Sequence, residues 1–287
     1  MKKSIITIFA VVSLASINLA MARTLFVSDI DDTIKVSHVL DKSDAVLNAL
    51  KIRNQFTGMS QFYQMYRNVD PTAIFVYVSS APEIIMDRSH RVFLRYNKFP
   101  PGELFLRKSL QDTQFKLRTI RKLIQTHNPE RLILVGDNGE HDPAIYARIH
   151  AEYPTIPTFT FIHQLYSVHS KSERGSRLEA DQIPFVTAVD LSMRFNEKQL
   201  VPFYNETFGF LSKFALSIVK ENFKNDDGLQ AIPPWEDCRD YFNIVELIKA
   251  KWQPTLKWPW QRYDSLYSLL TSYDAKIYSR CVSGPLD

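Results

Sequence analysis

The chain has 287 residues, a formal net charge of +4 and 45% hydrophobic residues, enough to bury one large core or two small ones. Its charges are dispersed, with no basic stripe of the kind that binds nucleic acid. Its two cysteines, Cys238 and Cys281, lie near the C-terminal end, far from the carboxylate cluster described below, which argues against a thiol nucleophile.

Residues 1–22 read as a secretory signal peptide. Lys2 and Lys3 form a basic n-region, Ile5 to Ala20 an apolar core, and Ala20-Met21-Ala22 a small-residue cleavage site. An uncleaved anchor is the alternative, but the apolar stretch is short for a spanning helix. Cleavage would leave residues 23–287, with the charge falling from +4 to +2 as Lys2 and Lys3 are removed. The mature protein is expected in the periplasm or outside the cell. In such a compartment Cys238 and Cys281 are expected to pair as a disulfide; two unrelated buried thiols are the other reading.

Thr24–Ser28 is the first predicted strand, and Asp29-Ile30-Asp31-Asp32-Thr33 follows it directly. In extended chain, residues i and i+2 point to one side. Asp29 and Asp31 can therefore converge just past the strand's carboxyl end, where open α/β sheets bind ligands. Two crowded carboxylates need a hard cation or a shared proton. With magnesium present, one can act as nucleophile and the other as general acid, which is the chemistry of phosphoryl transfer.

Residues 36–70 read as mostly helical, with Met59, Phe62, Tyr63 and Tyr66 at i, i+3, i+4, i+7 spacing. That stripe either packs on the sheet or lines the mouth of the site. Ala73–Val78 is a second buried strand, ended by Ser79 and Ser80. Ser79 offers a hydroxyl beside Asp29 for a phosphoryl oxygen, and Ser80 a helix cap. Pro82 takes the first position of a helix through about Tyr96. After the punctuation at 97–102 come a short strand, Glu103–Arg107, and a helix from about Thr113 to Gln125. Lys116 shares a face of that helix with Ile120 and Leu123. An ammonium there is costly to bury without a partner; it either meets a carboxylate and a phosphate or snorkels at the core rim.

Arg131–Val135 is the next strand, followed by Gly136-Asp137-Asn138-Gly139-Glu140-His141-Asp142-Pro143. Asp137 thus lies at a strand's carboxyl end, and Gly136 and Gly139 suit a tight turn. Asp137 can join Asp29 and the Asp31 main-chain carbonyl around magnesium, with Asp142 or Asn138 behind them. A helix from Pro143 through Ile149 and a last strand, Thr158–His163, complete an α/β pattern. From about Tyr166 the β-α rhythm stops and a mainly helical region follows, with Phe208, Leu211, Ala215, Ile218 and Val219 on one face.

The Asp29-x-Asp31-x-Thr33 segment, the strand-end Ser79, Lys116 and the Gly136-Asp137 loop ending at Asp142 occur in the order of the four signatures of haloacid-dehalogenase-like phosphohydrolases, which the chain resembles. Within that superfamily, D-I-D-D-T-I-K (29–35), V-S-S-A-P (78–82) and G-D-N-G-E-H-D-P (136–143) resemble the actin-patch-type phosphatidate phosphatases. The resemblance implies a Rossmann-like three-layer α/β/α core with a mainly parallel sheet across 23–165, plus a helical region of unknown role at 166–287. It also implies a Mg²⁺-dependent phosphomonoester hydrolase acting through an aspartyl-phosphate. Asp29 would be the nucleophile and Asp31 the acid and base, while Thr33 would steady the loop. Ser79 and Lys116 would hold phosphoryl charge, and Asp29, Asp31 and Asp137 the metal.

Phosphatidate or a related lipid phosphate is the leading substrate by this resemblance. The alternatives are an exported phosphatase for soluble monoesters, such as sugar phosphates or nucleotides, and a non-catalytic binding protein on the same fold. A lipid substrate requires an apolar entrance or a peripheral membrane contact. Trp252, Trp258 and Trp260 with Lys251 and Lys257 could provide the contact, or the tryptophans could fill a core.

Overall fold

The computed structural model describes residues 23–41, 51–202, 205–223, 229–241 and 260–285. The expectations for the leader, and for Lys251, Trp252, Lys257 and Trp258, fall outside these residues, as does the side chain of Trp260. Among the described residues no helix is long and apolar enough to cross a membrane.

A parallel sheet organises the molecule. Its strands are β1 (Thr24–Ser28), β3 (Ile74–Pro82), β4 (Glu103–Arg107), β5 (Arg131–Asp137), β6 (Thr158–His163) and β7 (Ile183–Phe185). They lie in the order β4-β3-β1-β5-β6-β7, all parallel to their neighbours. A parallel strand covered on both faces needs apolar residues at consecutive positions, and the sequence supplies them. Phe26, Phe75, Tyr77, Ile133, Val135 and Phe161 enter one core cluster. Their sequence neighbours Leu25, Val27, Val76, Val78, Leu132, Leu134 and Ile162 enter the other. The period-2 alternation thus divides two helical layers between the two faces.

The helices follow from the crossovers. α1 (Met59–Val69) and α2 (Glu83–Tyr96) connect β1 to β3 and β3 to β4, and they contribute Phe62, Tyr63, Tyr66 and Phe93 to the first cluster. α3 (Phe115–His127) and α4 (Asp142–Glu152) return the chain through β5 to β6 and contribute Ile120, Leu123 and Ile149 to the second. Growth of the sheet in one direction from β1 and then in the other puts the helices on opposite faces, because such crossovers are right-handed. The chain therefore reverses at β1, and the carboxyl ends of β1, β3 and β5 form the crevice where this architecture binds ligands.

Several expectations change in detail. Between residues 36 and 70, only α1 is helical among the described residues, and Gln55–Phe56 (β2) instead pairs in parallel with Leu229–Gln230 (β8). The α1 stripe faces the sheet and does not line the mouth: Phe26 lies 5.0 Å from Tyr63 and 5.3 Å from Tyr66, centroid to centroid. β3 continues through Ser79 to Pro82, so Pro82 is the N-cap of α2 and Ser80 does not cap it. α3 begins and ends two residues later than expected and stops at Asn128, which takes the left-handed conformation that Asn tolerates.

Thr158–His163 is not the last strand, since β7 adds to the sheet edge. Among the described residues, α5 (Ala188–Glu197), α6 (Asn205–Lys220) and α7 (Trp260–Ser283) are the helices after it. Phe195 of α5 and Phe210 and Phe214 of α6 join Phe26 and Phe161 in one cluster. Cys238 and Cys281 are bonded, with Cα atoms 4.9 Å apart, tying the end of α7 to the segment after β8.

Candidate active site

Asp29 leaves β1 with its N–H still bonded to the Val135 carbonyl of β5 at 2.8 Å, so the strand ladder itself aims its side chain. The chain then turns tightly: Ile34 and Lys35 both donate to the Ile30 carbonyl, and Asp32 donates to the Lys35 carbonyl. Asp32 has φ 59°, a conformation Asp accepts more readily than most residues. The sequence suggested no chemical role for Asp32, and the structure supplies one. Its buried carboxylate accepts the N–H groups of Ser37, His38 and Val39 at 2.9, 2.7 and 2.8 Å and the Tyr166 hydroxyl at 2.6 Å. It locks the loop that carries Asp29 and Asp31.

The turn sends the two candidate catalytic carboxylates to different neighbours. Asp29 is buried and accepts from Lys116 Nζ at 2.8 Å. Lys116 also bonds Asp142, so the lysine on the apolar face of α3 has carboxylate partners and does not snorkel. The Thr33 hydroxyl lies 3.1 Å from Asp137 and 3.4 Å from Asp29, bridging the ends of β1 and β5. Oxygens of Asp29, Asp137 and Asp142 all lie within 4.8 Å of one another.

Asp31 turns away from this group. Its carboxylate accepts from Ser37 Oγ at 2.8 Å and Ser79 Oγ at 3.3 Å, and it stands 2.9 Å from His90 Nε2 and 3.7 Å from Lys35 Nζ. Only its main-chain carbonyl is left to serve a cation beside Asp29. Ser79, expected beside Asp29, is thus bonded to Asp31 instead. Asn138 does not join the carboxylates either. It fastens the loop after β6, accepting from the N–H groups of Leu165 and Tyr166 and donating to the Tyr166 carbonyl.

The two glycines of the β5 loop are required for space, not for unusual dihedrals. Neither has a positive φ. A Cβ on Gly136 would stand 2.3 Å from Asp142 Oδ2, and one on Gly139 would stand 2.7 Å from the Tyr166 ring. Gly139 N–H meanwhile donates to Asp137 at 2.7 Å.

The electrostatics separate the two halves of the site. Burial raises Asp29 well above the ordinary carboxylate range; Lys116 opposes this and the Asp142 carboxylate adds to it. Burial, then Asp142 and Asp29, raise Asp137 likewise. Burial alone would neutralise Lys116, but Asp142 and Asp29 outweigh it and hold the ammonium. At Asp31 burial also pushes upward, yet His90 and then Lys35 more than offset it, keeping the carboxyl far below its usual value. The first group is therefore short of positive charge, with three buried carboxylates around one ammonium. Asp142 Oδ2 has no hydrogen-bond partner among the described residues. An all-oxygen donor set with a surplus of negative charge fits a hard divalent cation such as magnesium.

His90 is the site residue that sequence reasoning missed. It is fully buried on the inner face of α2, in line with Met86 and Phe93 at i, i+4, i+7. A polar side chain on an apolar stripe singled out Lys116, and the same signal could have found His90.

Residues 24–164 match the family described as the catalytic domain of phosphatidate phosphatase APP1. The chain is 27% identical over 143 residues to phosphatidate phosphatase APP1 of Saccharomyces cerevisiae, covering 45% of this chain and 24% of that protein. It is also 27% identical over 153 residues to an uncharacterized protein of Schizosaccharomyces pombe, covering 49% and 25%. The chain thus spans about a quarter of the length of these curated relatives.

Proposed function

We propose that this chain, whose residues 24–164 belong to the phosphatidate phosphatase APP1 catalytic-domain family, is an exported, magnesium-dependent phosphohydrolase of the haloacid-dehalogenase type acting on phosphatidate or a related lipid phosphate. One observation carries the reading. Two carboxylates two residues apart, Asp29 and Asp31, have opposite surroundings: Asp29 meets Lys116, Asp137 and Asp142, while Asp31 meets His90, Lys35 and Ser79. That division suits one nucleophile and one proton carrier. The Cys238–Cys281 disulfide supports export, since such bonds persist in oxidising compartments.

In this mechanism Asp29 attacks phosphorus and forms an aspartyl-phosphate as the alkoxide departs. Lys116, on the Asp29 oxygen, holds the nucleophile in place and offsets charge gathering on the phosphoryl oxygens. Asp137 and Asp29, with Asp142 and the Asp31 carbonyl, would hold magnesium, which when bound supplies further neutralisation of that charge. Ser79 offers its hydroxyl to a phosphoryl oxygen. Asp31 protonates the leaving alkoxide and then takes a proton from the water that cleaves the intermediate. Its carboxylate form, favoured by His90 and Lys35, suits the second step; an incoming phosphate raises its proton affinity for the first.

The test is phosphate release from short-chain phosphatidate in mixed micelles and from p-nitrophenyl phosphate, with magnesium or with chelator. Magnesium-dependent turnover that favours the lipid, and its loss in Asp29→Asn, is expected. An active Asp29→Asn enzyme would refute the assignment of the nucleophile, and preference for the soluble ester would discard the lipid.

A further inference from the structure

The rim around the site carries two surface features that the chemistry does not use, one on each side of it. Pro82 pairs with Arg107, so the chain leaves β3 and β4 side by side at their carboxyl ends. There Ile84 is 94% exposed, Ile85 64% and Leu110 67%. Large aliphatic side chains this open are unusual on the first turn of a helix that could have turned them inward, as Met86 and His90 of α2 are turned. Lys108 and Arg88 are exposed beside them. Lys108 also borders a groove of about 430 Å³ lined by Leu104, Phe105 and Phe115. Of the nearby acids, Asp87 and Asp112 are engaged by Arg91 and Arg118, and Glu83, next to Ile84, lines the same groove.

The second feature follows β6. The 164–178 loop is fastened onto the Asp137 loop, with Ser176 N–H on the Asn138 carbonyl at 2.7 Å and Gly175 packed against Asn138. From that anchor Lys171, Arg174 and Arg177 are exposed. Glu173 is committed to His38 at 2.9 Å, while Glu140, Glu179 and Asp181 are exposed acids near these cations. The strand order then fixes the arrangement: aliphatic side chains past β3 and β4, the site past β1 and β5, cations past β6.

We propose that this rim docks on an anionic lipid surface, with Ile84, Ile85 and Leu110 entering the apolar layer and Lys171, Arg174 and Arg177 meeting the headgroups on the other side of the site. Apolar side chains beside cations are the combination that binds such interfaces. This rests on the lipid-phosphate reading for its purpose, because it presents the mouth of the site to a substrate that does not leave the surface.

Binding can be measured without turnover. The Asp29→Asn full chain is sedimented with vesicles of phosphatidylcholine, with and without phosphatidylglycerol, at rising salt. Binding to the anionic vesicles that weakens with salt is expected. In that background Lys171→Gln/Arg174→Gln/Arg177→Gln should lose roughly a hundredfold in affinity and most of the salt dependence. Ile84→Ser/Ile85→Ser/Leu110→Ser should lose about tenfold or more. In the otherwise wild-type chain both triple variants should hydrolyse p-nitrophenyl phosphate at the parent rate. Parent-like vesicle binding by both variants overturns the proposal, as does no binding by the parent. A parent dimer dissolved by the aliphatic variant would overturn it too, assigning Ile84, Ile85 and Leu110 to contact with a second copy. Vesicle binding with no turnover of any phosphate would sink the proposed function and leave the docking surface standing.

Discussion

Lys116 is the residue on which most of the site turns, because its one positive charge faces Asp29 and Asp142 inside the fold. Lys116→Met should therefore do more than slow the reaction. It leaves buried carboxylates without their counter-charge, a loss of about 3–5 kcal/mol in comparable buried pairs. Thermal unfolding with and without magnesium should show the variant melting lower and gaining more from the ion than the parent. Equal gains would mean that the cation is not held by these carboxylates. Gly136→Ala tests the same cluster by space alone. Its methyl would push Asp142 Oδ2 from 2.3 Å, and a displacement of that size should cost about a hundredfold in kcat/KM with the fold retained. At this scale, what was legible was what a strand end announces locally: Asp29, Asp31, Ser79 and Asp137 each follow an apolar run. His90 and Tyr166 arrive from elements 59 and 134 positions away from their partners Asp31 and Asp32, and no local pattern says which loop they will meet.

Among the elements, β1, β4 and β6 fall at their predicted bounds because turn residues bracket short apolar runs. The errors lie where an element is stabilised by a distant partner. β2 pairs with β8 and is bridged to Lys35, and β7 pairs with β6, so neither has a strong signal of its own. β6 also hides a titration at its last residue. His163 is fully buried between the carbonyls of Thr33, 3.2 Å from Nδ1, and Val186, 2.8 Å from Nε2. Both acceptors favour the imidazolium, but burial outweighs them and lowers its pKa from 6.5 to about 4. A lowered histidine takes up its proton more readily when unfolded, so the stability it confers is present above pH 6.5 and lost as the pH falls toward 4. The full effect is on the order of 3 kcal/mol. Asp274, raised by burial to about 6, works the other way: its contribution is lost as pH rises from 3.8 through 6. The raised carboxyls Asp29 and Asp137 act in the same sense as Asp274, so the histidine is read by difference: from pH 7 to pH 5 the parent should lose about 2 kcal/mol more stability in urea unfolding than His163→Gln. An equal change in both chains would place the acid sensitivity elsewhere.

At the scale of the whole molecule, the family match ends at residue 164 while the packing continues. One face of the sheet is closed by residues well beyond that point. Phe195 stacks on Phe161 at 4.3 Å and meets the edges of Phe62 and Tyr66 at 4.8 and 5.5 Å. The sequence showed an apolar face on the helix around Phe208 to Val219, but not that it would share the sheet's core, because periodicity gives a face and never its partner. Removing that cover would expose Phe26, Phe75 and Phe161, the centre of the larger cluster. A chain of residues 23–165 should therefore lack a cooperative urea transition and bind hydrophobic dyes. Phe195→Ala in the full chain should cost about 3–5 kcal/mol. The disulfide reinforces the same closure from the C-terminal end: Cys238 and Cys281 are 43 residues apart, and joining such a loop removes unfolded-state entropy worth about 4 kcal/mol. Reduction should then lower the single unfolding transition of the full chain as a whole. A second transition, with the 24–164 part unmoved, would show instead that the two regions fold independently and that the shared core adds little to either.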